Sequence, residues 1–415
     1  MTRLYTSTGA DISVFTTGGD LVWGGGEPAQ PVPPEGPMRN IATGCSVVSM
    51  PLSVTTGASG RMVAHRTTLA VDAIQPVFEW VIQPGFGGTT TEPYQLRAAV
   101  AHLGELPKAL TFDGGSAVTI PESPTMVLTS DPAPLNARAG DVLDVYVWVS
   151  ARYMGDLTGY LPGRDVGAAD GHYGTAMQNL TPAPAGWSTI RQSRIVAPSD
   201  VSAWILAGDS IAQQAGSFLD TAALARGLPA VKSAMGGDGY QYYPSRWGSM
   251  YGRHTEYADH MIDEYGANSP NAPNALAFWR HAKANGISYL VKTTVAPRVR
   301  PDGTPPAADL AFNAWLRDGA PLTPDGTAPA EPGTAGAIRA AVIRPDGTVS
   351  EGVGAHPADV ISDTAAAIED PARPGHFTAE AAAAQGSDMD WLHFNLKVHA
   401  LVSARLERDL AILGY

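Results

Sequence analysis

The sequence predicts a two-part chain: an α/β region over residues 199–415, preceded by an antiparallel β-sandwich or jelly roll over residues 41–198. Three observations support this prediction. The 415 residues exceed one ordinary domain. Residues 41–198 contain short β-branched and aromatic runs that are separated by Gly, Pro, Asp and Ser. From about residue 200, strand-length apolar runs alternate with helical patterns, which indicates a parallel sheet covered on both faces.

Composition excludes several functional classes. Lys and Arg total 27 against 40 Asp and Glu, which gives a net charge of −13. This charge repels nucleic acid and anionic lipid, so neither is an expected partner. No apolar run approaches the roughly 18 residues of a membrane span, so we expect no membrane insertion. Cys45 is the single cysteine, which excludes an intramolecular disulfide and a Cys-based zinc site. No metal or cofactor is predicted.

Residues 1–40 are predicted to form a Gly/Pro-rich arm. The stretch "TTGGDLVWGGGEPAQPVPPEGP" indicates a short strand followed by a linker. The first residues lack the apolar core of a signal peptide. We therefore expect the protein in the cytoplasm or, if it leaves the cell by another route, in a virion such as a phage tail.

Residues 41–198 consist of strand-length runs separated by turn residues. The runs "RTTLAVDA", "PVFEWVIQ" and "DVLDVYVWVS" each have strand length and end at turn residues. Antiparallel strands that follow one another at this spacing are typical of sandwiches and jelly rolls.

Residues 199–415 begin with the strand "SAWILAG" and a helix that ends at Gly227. Two further strands, "PAVKSAM" and "DHMIDEYG", precede the helix "NALAFWRHAKAN" and the strand "ISYLVKTTV". The last helix has apolar residues at 3.6-residue spacing from Val398 to Leu413. Ligands of such sheets bind at the carboxyl ends of the strands.

Ser210 follows the first of these strands in "AGDSIA". One interpretation is a strand-to-helix turn in which Ser210 or Asp209 caps the helix. The other is a nucleophile, which needs a base and an acid that orients the base. The stretch "DWLHFN" supplies both, because Asp390 lies three residues before His393. The alternative there is a helix-capping Asp beside a surface His.

Acyl transfer also needs donors that hold the developing oxyanion. The backbone N–H of Gly237 in "SAMGGDGY" and the side chain of Asn268 in "DEYGANSP" are candidates, since each follows a strand. Both stretches are equally compatible with ordinary turns.

Together these blocks resemble the SGNH hydrolase (GDSL-like esterase/lipase) superfamily, over roughly residues 200–415. The resemblance implies a flavodoxin-like three-layer parallel sheet and a catalytic triad of Ser210, Asp390 and His393. The implied oxyanion hole comprises the Ser210 N–H, Gly237 and Asn268. Asp209 is then a structural neighbour of the nucleophile.

The chain departs from the family pattern at three places. Ser269 replaces an acid after Asn268. The Asn that is common before the second-block Gly is missing, so Gly236 is an alternative donor to Gly237. A stretch at about 298–385 is longer than a minimal member needs, which indicates a long loop insertion.

The resemblance implies a serine esterase that needs no cofactor. Its implied reaction is the hydrolysis of ester bonds, O-acetyl above all, in an acylated carbohydrate or a small ester. The β-rich stretch before the catalytic block is similar to that of some actinobacterial members. With the N-terminal arm, this favours a tail component of a phage with an actinobacterial host, in contact with other tail proteins. Two alternatives stay open: a structural or receptor-binding tail protein with minor hydrolase activity, and a bacterial intracellular esterase.

Overall fold

The structure of the 415-residue chain is a computed structural model. It describes residues 4–5, 11–12, 14–17, 20–23, 36–43, 45–47, 53–56, 61–82, 94–105, 107–120, 126–133, 135–151, 155–158, 194–214, 216–298, 303–386 and 391–415. The chain divides into two compact units, Met1–Glu35 and Gly36–Tyr415.

The first unit contains two antiparallel strand pairs. The pairs are β1 (Leu4–Tyr5) with β2 (Asp11–Ile12), and β3 (Val14–Thr17) with β4 (Asp20–Trp23). With a further strand at Met38–Asn40 in the second unit, the described residues up to position 40 contain five strands, where the sequence indicates one.

The second unit begins with fifteen strands over residues 38–198. They are β5 (Met38–Asn40), β6 (Ala42–Thr43), β7 (Cys45–Val47), β8 (Ser53–Thr56), β9 (Arg61–Leu69), β10 (Ala73–Ile74), β11 (Val77–Ile82), β12 (Tyr94–His102), β13 (Lys108–Ala109), β14 (Val118–Ile120), β15 (Met126–Thr129), β16 (Asn136–Ala137), β17 (Val142–Ala151), β18 (Gly155–Thr158) and β19 (Arg194–Pro198).

Two antiparallel sheets dominate this part of the chain. One has the order β13-β12-β17-β9-β6, with β14 also paired to β12, and the other has the order β15-β11-β19-β5. Leu143, Val145 and Val147 alternate along β17 and are fully buried, as expected for the core-facing side of a strand. The antiparallel pairing agrees with the sequence pattern, whereas the packing of the two sheets as a sandwich stays a prediction.

The rest of the second unit alternates strands and helices. The strands are β20 (Trp204–Gly208), β21 (Ala230–Ala234), β22 (His260–Asp263), β23 (Tyr289–Thr293), β24 (Ala341–Ile343), β25 (Val349–Ser350) and β26 (Val360–Ser362). The helices are α1 (Ser210–Gln213), α2 (Phe218–Ala225), α3 (Tyr243–Met250), α4 (Ala272–Ala284), α5 (Ala307–Arg317), α6 (Ala379–Gln385) and α7 (Leu396–Ile412). Short 3-10 turns occur at Tyr240–Tyr242 and Thr364–Ala367.

Together with β7 from the earlier part of the unit, these strands form one sheet with the order β25-β24-β26-β23-β22-β20-β21-β7. All pairings are parallel except that of β24 with the edge strand β25. The α/β class and the parallel sheet predicted for residues 199–415 are confirmed. Five of the strands are arranged 2-1-3-4-5 across the sheet when they are numbered in chain order: β20, β21, β22, β23 and β26. Ligands of such sheets bind where the strand order reverses, which is here between the adjacent strands β20 and β22.

Two predicted boundaries need correction. Strand β7 falls within the predicted β-domain, yet it pairs with β21 at the edge of the parallel sheet. The stretch at 298–385 is not a loop insertion, because it supplies α5 and the sheet strands β24 and β26. Both strands have only three residues, "AVI" and "VIS", which is too short for a clear periodic signal.

A continuous apolar core connects the antiparallel and parallel parts of the second unit. The cluster contains Phe78 and Trp80 from β11 as well as Trp204 from β20 and Phe278 from α4. Trp279 of α4 stacks on Trp315 of α5, with ring centroids 5.7 Å apart. The core is thus not interrupted at the predicted boundary between residues 198 and 199. Within the described ranges, no helix is both long and apolar enough to cross a bilayer.

Candidate active site

Ser210 lies at the carboxyl end of β20, next to the point where the strand order reverses. The strand is buried along its whole length and ends at Gly208. Asp209 caps helix α1, because its carboxylate accepts the N–H of Ile211 at 3.0 Å. The capping interpretation of Asp209 is thus confirmed. Ser210 itself is half-buried and is the first residue of the helix, where N–H groups have no intrahelical acceptor.

The structure brings His393 to Ser210 across 183 residues of sequence. The Nε2 atom of His393 lies 2.9 Å from the Oγ atom of Ser210. If this nitrogen accepts the hydroxyl proton, the ring proton is on Nδ1, which is the tautomer that a general base needs. The predicted nucleophile and base therefore form a hydrogen-bonded pair.

The segment that carries His393 is held from both sides. The side-chain amide of Gln385, at the end of α6, donates to the carbonyl oxygen of His393 at 2.8 Å. Asn395 caps α7 through the N–H of Val398, and its own amide donates to the Gln385 carbonyl at 3.0 Å. The neighbouring Phe394 is buried in the core. These contacts anchor His393 between two helices.

Asp390, the predicted orienting acid, lies outside the described residues. The next residue, Trp391, is described and has a backbone φ of +60°. Asp390 stays a prediction based on its place three residues before His393.

Gly236 and Gly237 follow β21 and are both exposed. The N–H of Gly236 donates to the side-chain oxygen of Gln213 at 2.8 Å. A Cβ atom at Gly236 would lie 3.7 Å from the Cβ of Ser210 and 2.9 Å from that Gln213 oxygen. Gly237 has a φ of +73°, which favours glycine. The loop therefore adjoins the serine, and the Gly236 N–H already has a partner within the protein.

Asn268 is exposed on the loop that follows β22. Its Nδ2 atom donates to the carbonyl oxygen of Asp238 at 2.8 Å. An amide nitrogen carries two hydrogens, so one stays available for a ligand. A Cβ atom at Gly239 would also lie 3.2 Å from the Cβ of Ser269. The two loops that carry the predicted oxyanion donors are thus joined to each other.

Buried charged side chains lie behind this site. Asp209 and Lys292 are fully buried, and Glu264 is almost so. Burial raises the pKa of Asp209 to about 6. Burial, together with the charge of Asp209, raises the pKa of Glu264 well above its ordinary value, while burial lowers the pKa of Lys292. The Lys292 ammonium donates to the carbonyl oxygens of Asp263 at 3.1 Å and Tyr265 at 2.5 Å.

Sequence reasoning missed three side chains that shape the site: Gln213, Glu264 and Gln385. Gln213 and Glu264 act through hydrogen bonds to backbone groups 23 and 55 residues away, and Gln385 acts through one to the carbonyl oxygen of His393, eight residues on, so no known motif marks them. The signal for Glu264 was a pair of acids at the end of an apolar strand, "HMIDEYG". Across the described ranges, no group of three or more His, Cys, Asp or Glu side chains is arranged to hold a metal ion.

No family model matches this chain, and no curated protein matches it. Among solved structures it is similar to a salicylyl-acyltransferase from a tetracycline biosynthetic pathway, with 17% identity over 84% of this chain and 82% of that one, at a TM-score of 0.35. A carbohydrate esterase family 2 enzyme with a carbohydrate-binding domain, from Corynascus thermopiles (Myceliophthora fergusii), has 13% identity over 91% of this chain and 100% of that one, at a TM-score of 0.34. The catalytic domain of a peptidoglycan O-acetyltransferase from Streptococcus pneumoniae has 14% identity over 51% of this chain and 93% of that one, at a TM-score of 0.31.

Proposed function

We propose that this protein is a serine ester hydrolase of SGNH type that removes short acyl groups, O-acetyl above all, from a hydroxyl-rich substrate such as a carbohydrate. The observation that carries the proposal is the 2.9 Å contact between the Ser210 Oγ and His393 Nε2 atoms. A serine hydroxyl is a weak nucleophile until a base at hydrogen-bond distance accepts its proton. The pair lies at the strand ends where an α/β sheet of this order binds ligands.

In the proposed first half-reaction, the Ser210 oxygen attacks the ester carbonyl while His393 takes the hydroxyl proton. Asp390 orients the imidazole and stabilises the imidazolium. The N–H groups of Ser210 and Gly237 and the side-chain amide of Asn268 stabilise the oxyanion of the tetrahedral intermediate. The imidazolium then gives its proton to the departing alcohol, which leaves an acyl group on Ser210.

In the second half-reaction, water attacks the acyl-enzyme and gives a proton to His393. The carboxylic acid forms as the Ser210 oxygen departs and recovers that proton. The chemistry requires only these side chains and water, so the proposal includes no metal or cofactor.

The surroundings of the site favour a short acyl group on a polar substrate. The exposed residues that follow β21 and β22 include the glycines Gly236 and Gly237, the amides Gln241 and Asn268, and the aromatic Tyr242. The Arg246 guanidinium lies over the Tyr242 ring, 4.6 Å from its centre. Exposed aromatic and amide groups suit a sugar ring and its hydroxyls, whereas long acyl chains need extended apolar walls.

The test is a panel of p-nitrophenyl acetate, butyrate and octanoate, together with acetylated xylan, assayed with the wild-type protein and Ser210→Ala. We expect turnover of the acetate and release of acetate from the polymer, and loss of both in Ser210→Ala. A fluorophosphonate probe should label the wild type and not the variant.

The control is Ser288→Ala, because Ser288 is exposed at the amino end of β23, opposite the site. It should retain both turnover and labelling. Hydrolysis or labelling that persists in Ser210→Ala would exclude this serine as the nucleophile. A preference for the octanoate over the acetate would contradict the short-acyl proposal.

The biological setting is a separate proposal. The Gly/Pro-rich arm and the antiparallel strands that follow it favour an esterase carried on a phage tail, where it would trim acyl groups from surface glycans of an actinobacterial host. Such a protein should sediment with particles and bind other tail proteins. Recovery only in the particle-free fraction would favour the intracellular esterase instead. Particle binding by a protein that turns over none of the esters would favour the receptor-binding alternative.

A further inference from the structure

Glu264 contacts the backbone of the turn that presents Ser210. It follows β22, the strand next to β20, and is 6% exposed. Its Oε2 atom accepts the N–H of Asp209 at 3.1 Å. A buried carboxyl group that follows one strand therefore holds the Gly208–Asp209 peptide at the end of the neighbouring strand, one residue before the serine.

Gly208 provides the space for this contact. A Cβ atom at Gly208 would lie 2.5 Å from the Oε2 atom of Glu264 and 2.5 Å from the Cβ of Ala212. Real Cβ atoms essentially never show so short an approach. The glycine of "AGDS" is thus required by the close approach of Glu264 and helix α1.

Two carboxyl groups bracket Ser210. Glu264 holds the N–H of Asp209, and the Asp209 Oδ1 atom holds the N–H of Ile211 at 3.0 Å. The backbone N–H groups on both sides of Ser210 are therefore fixed by buried acceptors. The N–H of Ser210 lies between them, in the first helical turn.

We propose that Glu264 is a positioning residue: it orients the Asp209–Ser210 turn so that the Ser210 hydroxyl and N–H align with the ester carbonyl. This inference rests on the proposed esterase function. Its chemical consequence follows from geometry, because a displacement of about 1 Å at a reacting group costs on the order of 10²-fold in rate.

The required property of Glu264 is an acceptor atom and not a charge. Its contact is to a backbone N–H, and burial beside Asp209 disfavours the ionised form by raising its pKa. Glutamine has nearly the same shape and keeps one acceptor oxygen. Glu264→Gln should therefore preserve the position of the serine, whereas Glu264→Ala and Glu264→Met remove the acceptor.

The experiment measures the rate of fluorophosphonate labelling, kcat and KM on p-nitrophenyl acetate, and the thermal unfolding midpoint. We expect Glu264→Ala and Glu264→Met to slow labelling and to lower kcat by about 10²-fold, with little change in KM. Glu264→Gln should stay within about threefold of the wild type, in line with its retained acceptor. If the alanine variant does not fold, the methionine variant tests the proposal, since methionine fills most of the volume of the glutamate side chain.

Glu369→Ala is the matched control. Glu369 is also 6% exposed and accepts a backbone N–H, that of Gly375 at 2.6 Å. Its loss should lower the unfolding midpoint without slowing labelling. Folded Glu264→Ala or Glu264→Met with wild-type labelling would overturn the inference, as would Glu264→Gln being as slow as the methionine variant. If the wild type is not labelled at Ser210 at all, the proposed function fails, which is a distinguishable result.

Discussion

The Nε2 atom of His393 lies 2.9 Å from the Oγ atom of Ser210, although the two residues are 183 positions apart in the chain. The serine belongs to the turn between β20 and α1, and the histidine to the segment between α6 and α7. The pair forms only when the carboxyl end of the sheet and the last two helices are in place.

His393→Ala should lower kcat on p-nitrophenyl acetate by about 10²–10⁴-fold, because the variant removes the general base. The control is His376→Ala, since His376 is a half-buried histidine near Arg373 and outside the pair. It should retain nearly full activity. Near-wild-type kcat in His393→Ala would mean that another group accepts the Ser210 proton.

Asn268→Ala should lower kcat by about 10²–10³-fold, equivalent to roughly 2.7–4 kcal/mol, with little change in KM. The reason is that its free amide hydrogen is expected to bind the oxyanion more strongly than the ground-state carbonyl. The control is Asn271→Ala, because Asn271 caps α4 through the N–H of Asn274 at 3.0 Å. That variant should cost about 1 kcal/mol of stability and leave kcat unchanged. An effect of Asn268→Ala on KM alone would place Asn268 in substrate binding.

Asp209→Asn should change how stability depends on pH. Burial raises the pKa of Asp209 to about 6 in the folded state, above its ordinary value of 3.8. Between these two pH values the folded state binds more protons than the unfolded state, so the free energy of unfolding falls as pH rises. Asparagine caps a helix equally well and does not ionise. The variant should therefore gain about 2 kcal/mol of stability relative to the wild type as pH rises from 4.5 to 7.

Chemical denaturation at several pH values measures this difference. Asp325→Asn is the control, because the pKa of Asp325 is lowered to about 2 by Thr323 and Thr327. Both its folded and unfolded values lie below pH 4.5, so its stability difference from the wild type should stay constant over the range. A constant difference for Asp209→Asn as well would mean that this carboxyl ionises normally in the folded protein.

Arg194→Met should destabilise the protein by about 3–5 kcal/mol. Arg194 is 2% exposed on β19, forms an ion pair with Glu79 of β11, and lies 4.1 Å from the centre of the Tyr257 ring. It also contacts the Nδ1 atom of His254 at 3.1 Å. Removing the arginine leaves the Glu79 carboxylate buried without its partner.

The double variant Arg194→Met with Glu79→Met should recover part of the loss, since no charge then stays buried alone. Arg39→Met is the comparison, because Arg39 pairs with Asp259 at 3.2 Å with both side chains about a fifth exposed. Partly exposed ion pairs contribute roughly 0–1 kcal/mol. Equal losses for Arg194→Met and Arg39→Met in urea denaturation would contradict the importance of the buried pair.

The sequence by itself determined the α/β class and the candidate chemistry of residues 199–415. Apolar runs of strand length and helices with 3.6-residue periodicity are local signals, so the parallel sheet and the place of Ser210 after a strand could be predicted. Asn268 and His393 were found from short motifs in the same way. Asp390 stays a prediction from its motif.

Only the tertiary structure decided which segments meet. Strand β7 joins the parallel sheet from a region predicted as a separate domain, and β24 and β26 extend the sheet from a stretch predicted as loops. The contact of Glu264 with the Ser210 turn joins positions 55 residues apart. The physical reason is that periodicity reports which face of an element is buried, whereas strand partners and buried hydrogen bonds depend on long-range packing, which no local pattern encodes.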